Sequence, residues 1–250
     1  TICEHTPLKN ADKLDHPQNW KDANVADGSS YDSEAFRLQC QRGFLKKVYG
    51  ILTLQLATTV AICWAVMAHP QLNTWVLQQR WIVMTCFFAS IATIFALHWK
   101  KDSYPANVYL LAIFTFVESC TVATVCAHYE AHGVGYLVGV AWGATLAVFL
   151  GLTALVSFSA VDFSFMGMFL PAGLLAFVLF GITSAIFGFH LGWAFAFFGA
   201  LLFCGFIIYD TYMIMNRMGT DDYILACVEL YLDLINLFLM ILELISGGRR

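Results

Sequence analysis

Seven long apolar stretches constrain this chain more than any other feature. Crossing about 30 Å of hydrocarbon takes about 20 helical residues. The stretches run over Val48–Ala68, Trp81–Trp99, Val108–Ala127, Val134–Phe158, Phe165–Ile186, Leu191–Met218 and Tyr223–Ile245. With no water to satisfy its backbone groups, a segment of this kind must be helical. The fold class expected is therefore an all-α membrane protein with seven transmembrane helices. Composition agrees: 60% of residues are hydrophobic and 12% charged, whereas soluble domains carry roughly 25% charge. The connections are too short for a second folded domain. Residues 1–43 are polar and read as a flexible tail, 44–246 as the membrane domain and 247–250 as a short basic tail.

The tail holds no apolar stretch of signal-peptide type, so the first span is expected to act as the targeting signal. Arg37, Arg42, Lys46 and Lys47 precede span 1, Lys100 and Lys101 follow span 2, and Arg217 sits at the junction of spans 6 and 7, at the very end of span 6. All fall on one side if every span crosses, which predicts a cytosolic N-terminus. Arg249 and Arg250 then conflict with the same rule. A seventh segment that is re-entrant would remove the conflict, and both forms of that segment stay open. The net charge of −4 gives no reason to expect nucleic acid.

Acids inside spans are costly, about 2.5–3.5 kcal/mol at mid-membrane, so they face the bundle interior and have a task. Glu118, Asp210 and Asp233 are such acids. Spans 6 and 7 are joined by a short turn around Gly219 and should run antiparallel. Asp210 then lies roughly 12 Å before the turn and Asp233 roughly 15 Å after Tyr223, so the two carboxyls can meet. In contact, they would share one proton and titrate in coupled steps. Deprotonated, they offer hard oxygen ligands to Ca²⁺. Asp222, Glu229, Asn236 and Glu243 recur every seven residues around Asp233 and form one helix stripe. A helix so polar should be surrounded by the others, its stripe lining a water-accessible path.

Other features carry less. Gly135, Gly139, Gly143, Ala147 and Gly151 make a smooth stripe on span 4, expected to serve helix packing within the bundle rather than a dimer face. Pro171 is expected to kink span 5. Eight cysteines include no C-x-x-C pair, so they read as small buried hydrophobes. His128 and His132 flank Glu130, but not in the H-E-x-x-H order of a zinc hydrolase. Span 7 has no Lys, which excludes a retinal Schiff base there. No enzyme activity and no cofactor are expected.

Several segments resemble the transmembrane Bax-inhibitor-motif family, its lifeguard branch in particular. Residues 44–52 with Leu54-Gln55-Leu56 look like that family's first span, and Phe114-Thr115 with Glu118 like its third. Gly151-Leu152-Thr153 followed by Asp162-Phe163-Ser164 is similar to its fourth span and the loop beyond. Residues 200–211 and 230–239, which hold Asp210 and Asp233, are similar to its last two spans. The resemblance covers about residues 37 to 245. It implies a central last helix wrapped by six others, and a pH-sensitive Ca²⁺ leak across a Golgi or endoplasmic reticulum membrane. It also implies protection against cell death, with cell-death regulators or other calcium channels as partners beside the lipid bilayer. By motif, Asp210 and Asp233 would be the family's aspartate pair, and Lys100 or Lys101 would stand where some members place a basic latch partner. Ala160 stands where relatives usually have Lys. Glu229 replaces a small or uncharged residue one turn before Asp233, adding a third carboxylate beside the pair. Pro7 and Pro17 are the only prolines of a tail that is Pro-rich in several lifeguard members.

A membrane adaptor that conducts nothing is the second reading, and an intramembrane metal hydrolase the third.

Overall fold

The structure, a computed structural model, describes residues 23–79, 81–101, 103–188, 192–216 and 223–247, with side chains from Gln41 onward. Among these residues the chain is helical throughout: α1 (Ala23–Ala68), α2 (Pro70–Gln78), α3 (Trp81–Lys100), α4 (Ala106–Ala131), α5 (Tyr136–Phe158), α6 (Met166–Phe187), α7 (Trp193–Asn216) and α8 (Tyr223–Ser246). All but α2 contain a stretch long and apolar enough to span a membrane. In α1 this part is Gln41–Ala68. Its first residues fall in the segment assigned to the tail, because no proline interrupts the helix between Ala23 and Ala68.

The helices alternate in direction. At the basic end, Gln41 donates to the Met215 carbonyl, Lys47 sits 3.3 Å from the centre of the Tyr223 ring, and Ser157 approaches Met215. At the opposite end, Tyr129 reaches Glu243 and Ser246, while Asn73 of α2 donates to the Ala127 carbonyl. Helix α2 has Pro70 in its first turn, where a missing N–H costs nothing. It exposes Leu72 and Trp75 at the level expected of an interfacial segment.

Helix α8 is the axis of the bundle. In its most apolar window 61% of residues are buried, against 44% or less in every other span. It packs on α7, α5, α1 and α4. Tyr231, Leu234, Leu237, Phe238 and Leu242 are among the most enclosed side chains of the core. At 24 residues it is about 36 Å long and unbroken, enough for a full crossing. Helix α6 is the outermost, with 6% of its window buried, and runs on through Pro171.

The glycine stripe corrects an expectation. A Cβ at Gly139, Gly143 or Gly151 would meet nothing within 4 Å. These glycines face outward and do not pack inside the bundle; only Gly135 is close to neighbours, Glu130 and Met67. The close approach lies instead between α6, α7 and α8. A Cβ at Gly167 would fall 2.6 Å from the Tyr209 hydroxyl, and one at Gly199 would fall 2.6 Å from Met240 Sδ and 2.7 Å from the Phe177 ring. Small residues let these backbones approach where dispersion contacts must replace the hydrophobic drive that lipid does not supply. Gly167→Ala is therefore expected to cost about 1–3 kcal/mol by overpacking. Gly143→Ala should cost nothing and gain up to about 1 kcal/mol in helix propensity. Thermal unfolding of the two purified variants side by side checks the contrast.

Candidate functional site

The acidic pair comes from two neighbouring, antiparallel helices. Asp210 lies six residues before the end of α7 and Asp233 ten residues after the start of α8. Opposite helix directions bring these positions to similar depth. The two carboxyls meet, and both side chains are buried, 9% and 8% exposed. One oxygen of the pair, Asp233 Oδ2, has no hydrogen-bond partner.

A cavity of about 500 Å³ opens beside them, bordered by Leu174 of α6, by Phe203, Phe206, Tyr209, Asp210 and Met213 of α7, and by Glu229, Leu232, Asp233 and Asn236 of α8. Glu229, Asp233 and Asn236 thus share one face of α8, as their spacing requires. Glu229 is exposed where it borders the cavity, and its charge acts on Asp233 one turn away. Glu243 continues the same face. It accepts a 3.0 Å hydrogen bond from Tyr129 and borders a second cavity of about 660 Å³ near the far end. Met240, which borders this second cavity, lies with Phe177 close against Gly199 of α7. Asp222 lies outside the described residues, as do Arg80, Arg217 and the terminal Arg249 and Arg250.

Three sequence candidates are set apart from the pair. Glu118 faces Ser90 across the α3–α4 contact and Tyr231 on α8. Tyr231 is two residues from Asp233, and thus on nearly the opposite side of the helix, so Glu118 does not border the pair's cavity. Lys100 is exposed and Lys101 half-buried at the end of α3, and neither borders it.

Sequence reasoning passed over a second buried polar cluster. Thr59 of α1 is the hub: its hydroxyl lies 2.8 Å from that of Tyr231 and 3.0 Å from that of Ser119, and it donates to the Gln55 carbonyl. Gln55 donates to Thr115 at 2.9 Å. These bonds tie α1 and α4 to α8. The signal was available: Gln55 and Thr59, and Thr115 and Ser119, are polar pairs one turn apart within apolar spans.

Chemically, two carboxylates pressed together away from water repel. A proton held between them, or a cation, stabilises the arrangement. Ca²⁺ prefers about six to eight oxygen ligands, and among the described residues no three His, Cys, Asp or Glu side chains gather as a metal-holding group. The His128 and His132 rings lie 4.3 Å apart, exposed at the end of α4.

Residues 41–250 match the family model described as inhibitor of apoptosis-promoting Bax1. Protein lifeguard 4 of Mus musculus is 37% identical over 228 residues, covering 90% of this chain and 94% of that protein. The Golgi anti-apoptotic protein of vaccinia virus (strain Lister) is 38% identical over 228 residues, covering 89% and 92%. Bax inhibitor 1 of Schizosaccharomyces pombe is 39% identical over 208 residues, covering 81% and 76%. With seven apolar helices, the last of them the most buried, and a match of this extent, the chain belongs to the Bax inhibitor family.

Proposed function

We propose that this protein is a pH-sensitive Ca²⁺ leak path of an intracellular membrane, Golgi or endoplasmic reticulum, which lowers stored calcium and so protects against apoptosis. The observation that carries the reading is the buried contact of Asp210 with Asp233 at the edge of a cavity that Glu229 also borders. The same α8 face leads through Asn236 to Glu243 and the second cavity. A proton shared by the pair latches α7 to α8. Its loss leaves two repelling carboxylates that attract a divalent cation, so flux is low in acid and rises toward neutral pH. The names of two relatives, Golgi anti-apoptotic protein and Bax inhibitor 1, support the cell-survival part and the organelle. The lysines and Arg42 at one end support a cytosolic N-terminus.

The test is Ca²⁺ flux into dye-loaded liposomes containing the purified protein, followed from acid to neutral pH. Flux rising with pH supports the leak. A second reading, a non-conducting adaptor for calcium channels or cell-death proteins, is favoured by the outward face of α5, where Gly139, Gly143 and Gly151 stand open for another helix. Liposomes without flux at any pH would select it.

A further inference from the structure

At the end opposite the basic one, three helix ends meet around the cavity of about 660 Å³. Helix α4 ends at Ala131 and α8 at Ser246, while α7 starts at Trp193. Span ends lie at the level of the lipid headgroups, where tryptophan and tyrosine concentrate. Tyr129, Trp193 and Phe195 bring three aromatic rings to the cavity border, and Glu243 is its one charged side chain among the described residues. Apart from two glycines, the rest of the border is aliphatic or thioether, such as Val125, Leu239 and Met240. The volume falls within the range of small-molecule sites, roughly 300–1,000 Å³, which are mostly apolar with a few placed polar groups.

Two of the rings are held in place by the fold itself. Tyr129 lies 3.0 Å from the Glu243 carboxylate, to which it donates, and 3.1 Å from the Ser246 hydroxyl. Phe195 stacks on Phe177, with centroids 4.0 Å apart and planes 11° from parallel. Trp193 is 67% exposed, a large apolar surface left open on the same cavity as an acid.

This lining selects the chemistry of a ligand. Calcium takes about six to eight oxygens, whereas the side chains here supply one carboxylate and one phenol hydroxyl. An anion would be repelled by Glu243, and a neutral apolar molecule would gain nothing from it. A cation that carries its own apolar surface suits both the acid and the rings. A quaternary ammonium has no N–H to satisfy and is attracted to aromatic faces. The C-termini of α4 and α8 add partial negative charge, against a single N-terminus from α7.

We propose that this cavity binds a quaternary ammonium group, as carried by choline or by the headgroup of a choline phospholipid. Glu243 supplies the countercharge, and Tyr129, Trp193 and Phe195 supply the aromatic wall. The inference does not depend on Ca²⁺ conduction.

Thermal unfolding of the full chain, purified in a maltoside detergent, tests it with choline chloride as the probe. Choline is expected to raise the unfolding temperature saturably. Sodium chloride at equal concentration should not, nor should dimethylbutanol, the uncharged carbon analogue of choline. Glu243→Gln should weaken the choline response at least about tenfold, and Trp193→Leu several-fold. Trp193→Leu keeps the bond between Tyr129 and Glu243, so it decides the matter if the glutamine variant does not fold. Native mass spectrometry with phosphatidylcholine or phosphatidylglycerol separates the two sources of the group. Phosphatidylcholine retained in preference to phosphatidylglycerol, and lost in Trp193→Leu, assigns the site to a lipid headgroup. A choline response without that preference assigns it to a free cation. A response that sodium chloride or dimethylbutanol matches overturns the proposal, as does the absence of both a choline response and a lipid preference. Binding that the variants leave unchanged overturns it too. None of these readouts involves Ca²⁺ flux, so they stand or fall separately from the leak.

Discussion

Asp233→Asn is expected to hold Ca²⁺ flux at its acid level at every pH, at least about tenfold below wild type at neutral pH. The amide keeps the shape of the carboxyl and can donate to Asp210 as the shared proton does. It cannot ionise, so the repulsion that parts α7 from α8 never develops. One negative charge facing the cation is lost as well, and a contact worth about 1.4 kcal/mol is tenfold in occupancy. Asp210→Asn should do the same, since the contact is reciprocal. The double variant should add little, because either change removes the same proton-sharing unit. Flux in liposomes across the pH range is the measurement. Two single variants that both leak like wild type at every pH would rule out the latch. Glu229→Gln separates the roles further. It leaves the pair intact but removes a charge from the cavity border, so it should lower neutral-pH flux while preserving the rise with pH.

Thr59→Val is expected to destabilise the folded bundle by about 2 kcal/mol. Its hydroxyl is shared by Tyr231 and Ser119, both 0% exposed. The substitution conserves volume but takes from the buried Tyr231 hydroxyl its 2.8 Å partner, while Ser119 keeps its bond to the Thr115 carbonyl, and a buried group left unpaired costs about 1–3 kcal/mol. Within membranes the net value of such bonds falls to about 0.6 kcal/mol on average, because the unfolded chain finds other partners. Tyr231→Phe, which leaves Thr59 bonded to Ser119, should therefore cost less, about 1 kcal/mol. Thermal unfolding of purified variants gives the ranking. Equal melting of Thr59→Val and wild type would show that the cluster does not hold α1 to α8. Flux should retain its pH dependence in both variants, because Tyr231 points away from the face that carries Asp233.

Much of the architecture follows from local chemistry. The spans were legible because hydrocarbon demands about 20 helical residues and the chain supplies seven such runs. The contact of Asp210 with Asp233 was legible for a related reason. Two antiparallel neighbours with acids at similar distances from their connection must bring them to one depth. The stripe of Glu229, Asp233, Asn236 and Glu243 followed from helical periodicity alone.

The direction in which the other faces turn was not legible. In water, an apolar face marks the inside; in lipid, both sides of a helix are apolar and composition does not distinguish them. The spacing on α5 therefore pointed to internal packing, while Gly139 and Gly143 turn outward and Gly167 and Gly199 make the close contacts. Glu118 looked like a third member of the acidic path for the same reason. An acid inside a span indicates that it is kept from lipid, but not which side of α8 it faces. Only the packing of α3 and α4 decided that, placing it across α8 from the pair. The sequence by itself determined the number, length and polarity of the spans and the depth of the aspartates. Tertiary structure alone decided which polar groups meet, because that depends on the rotation of each helix about its own axis, which the bilayer leaves free.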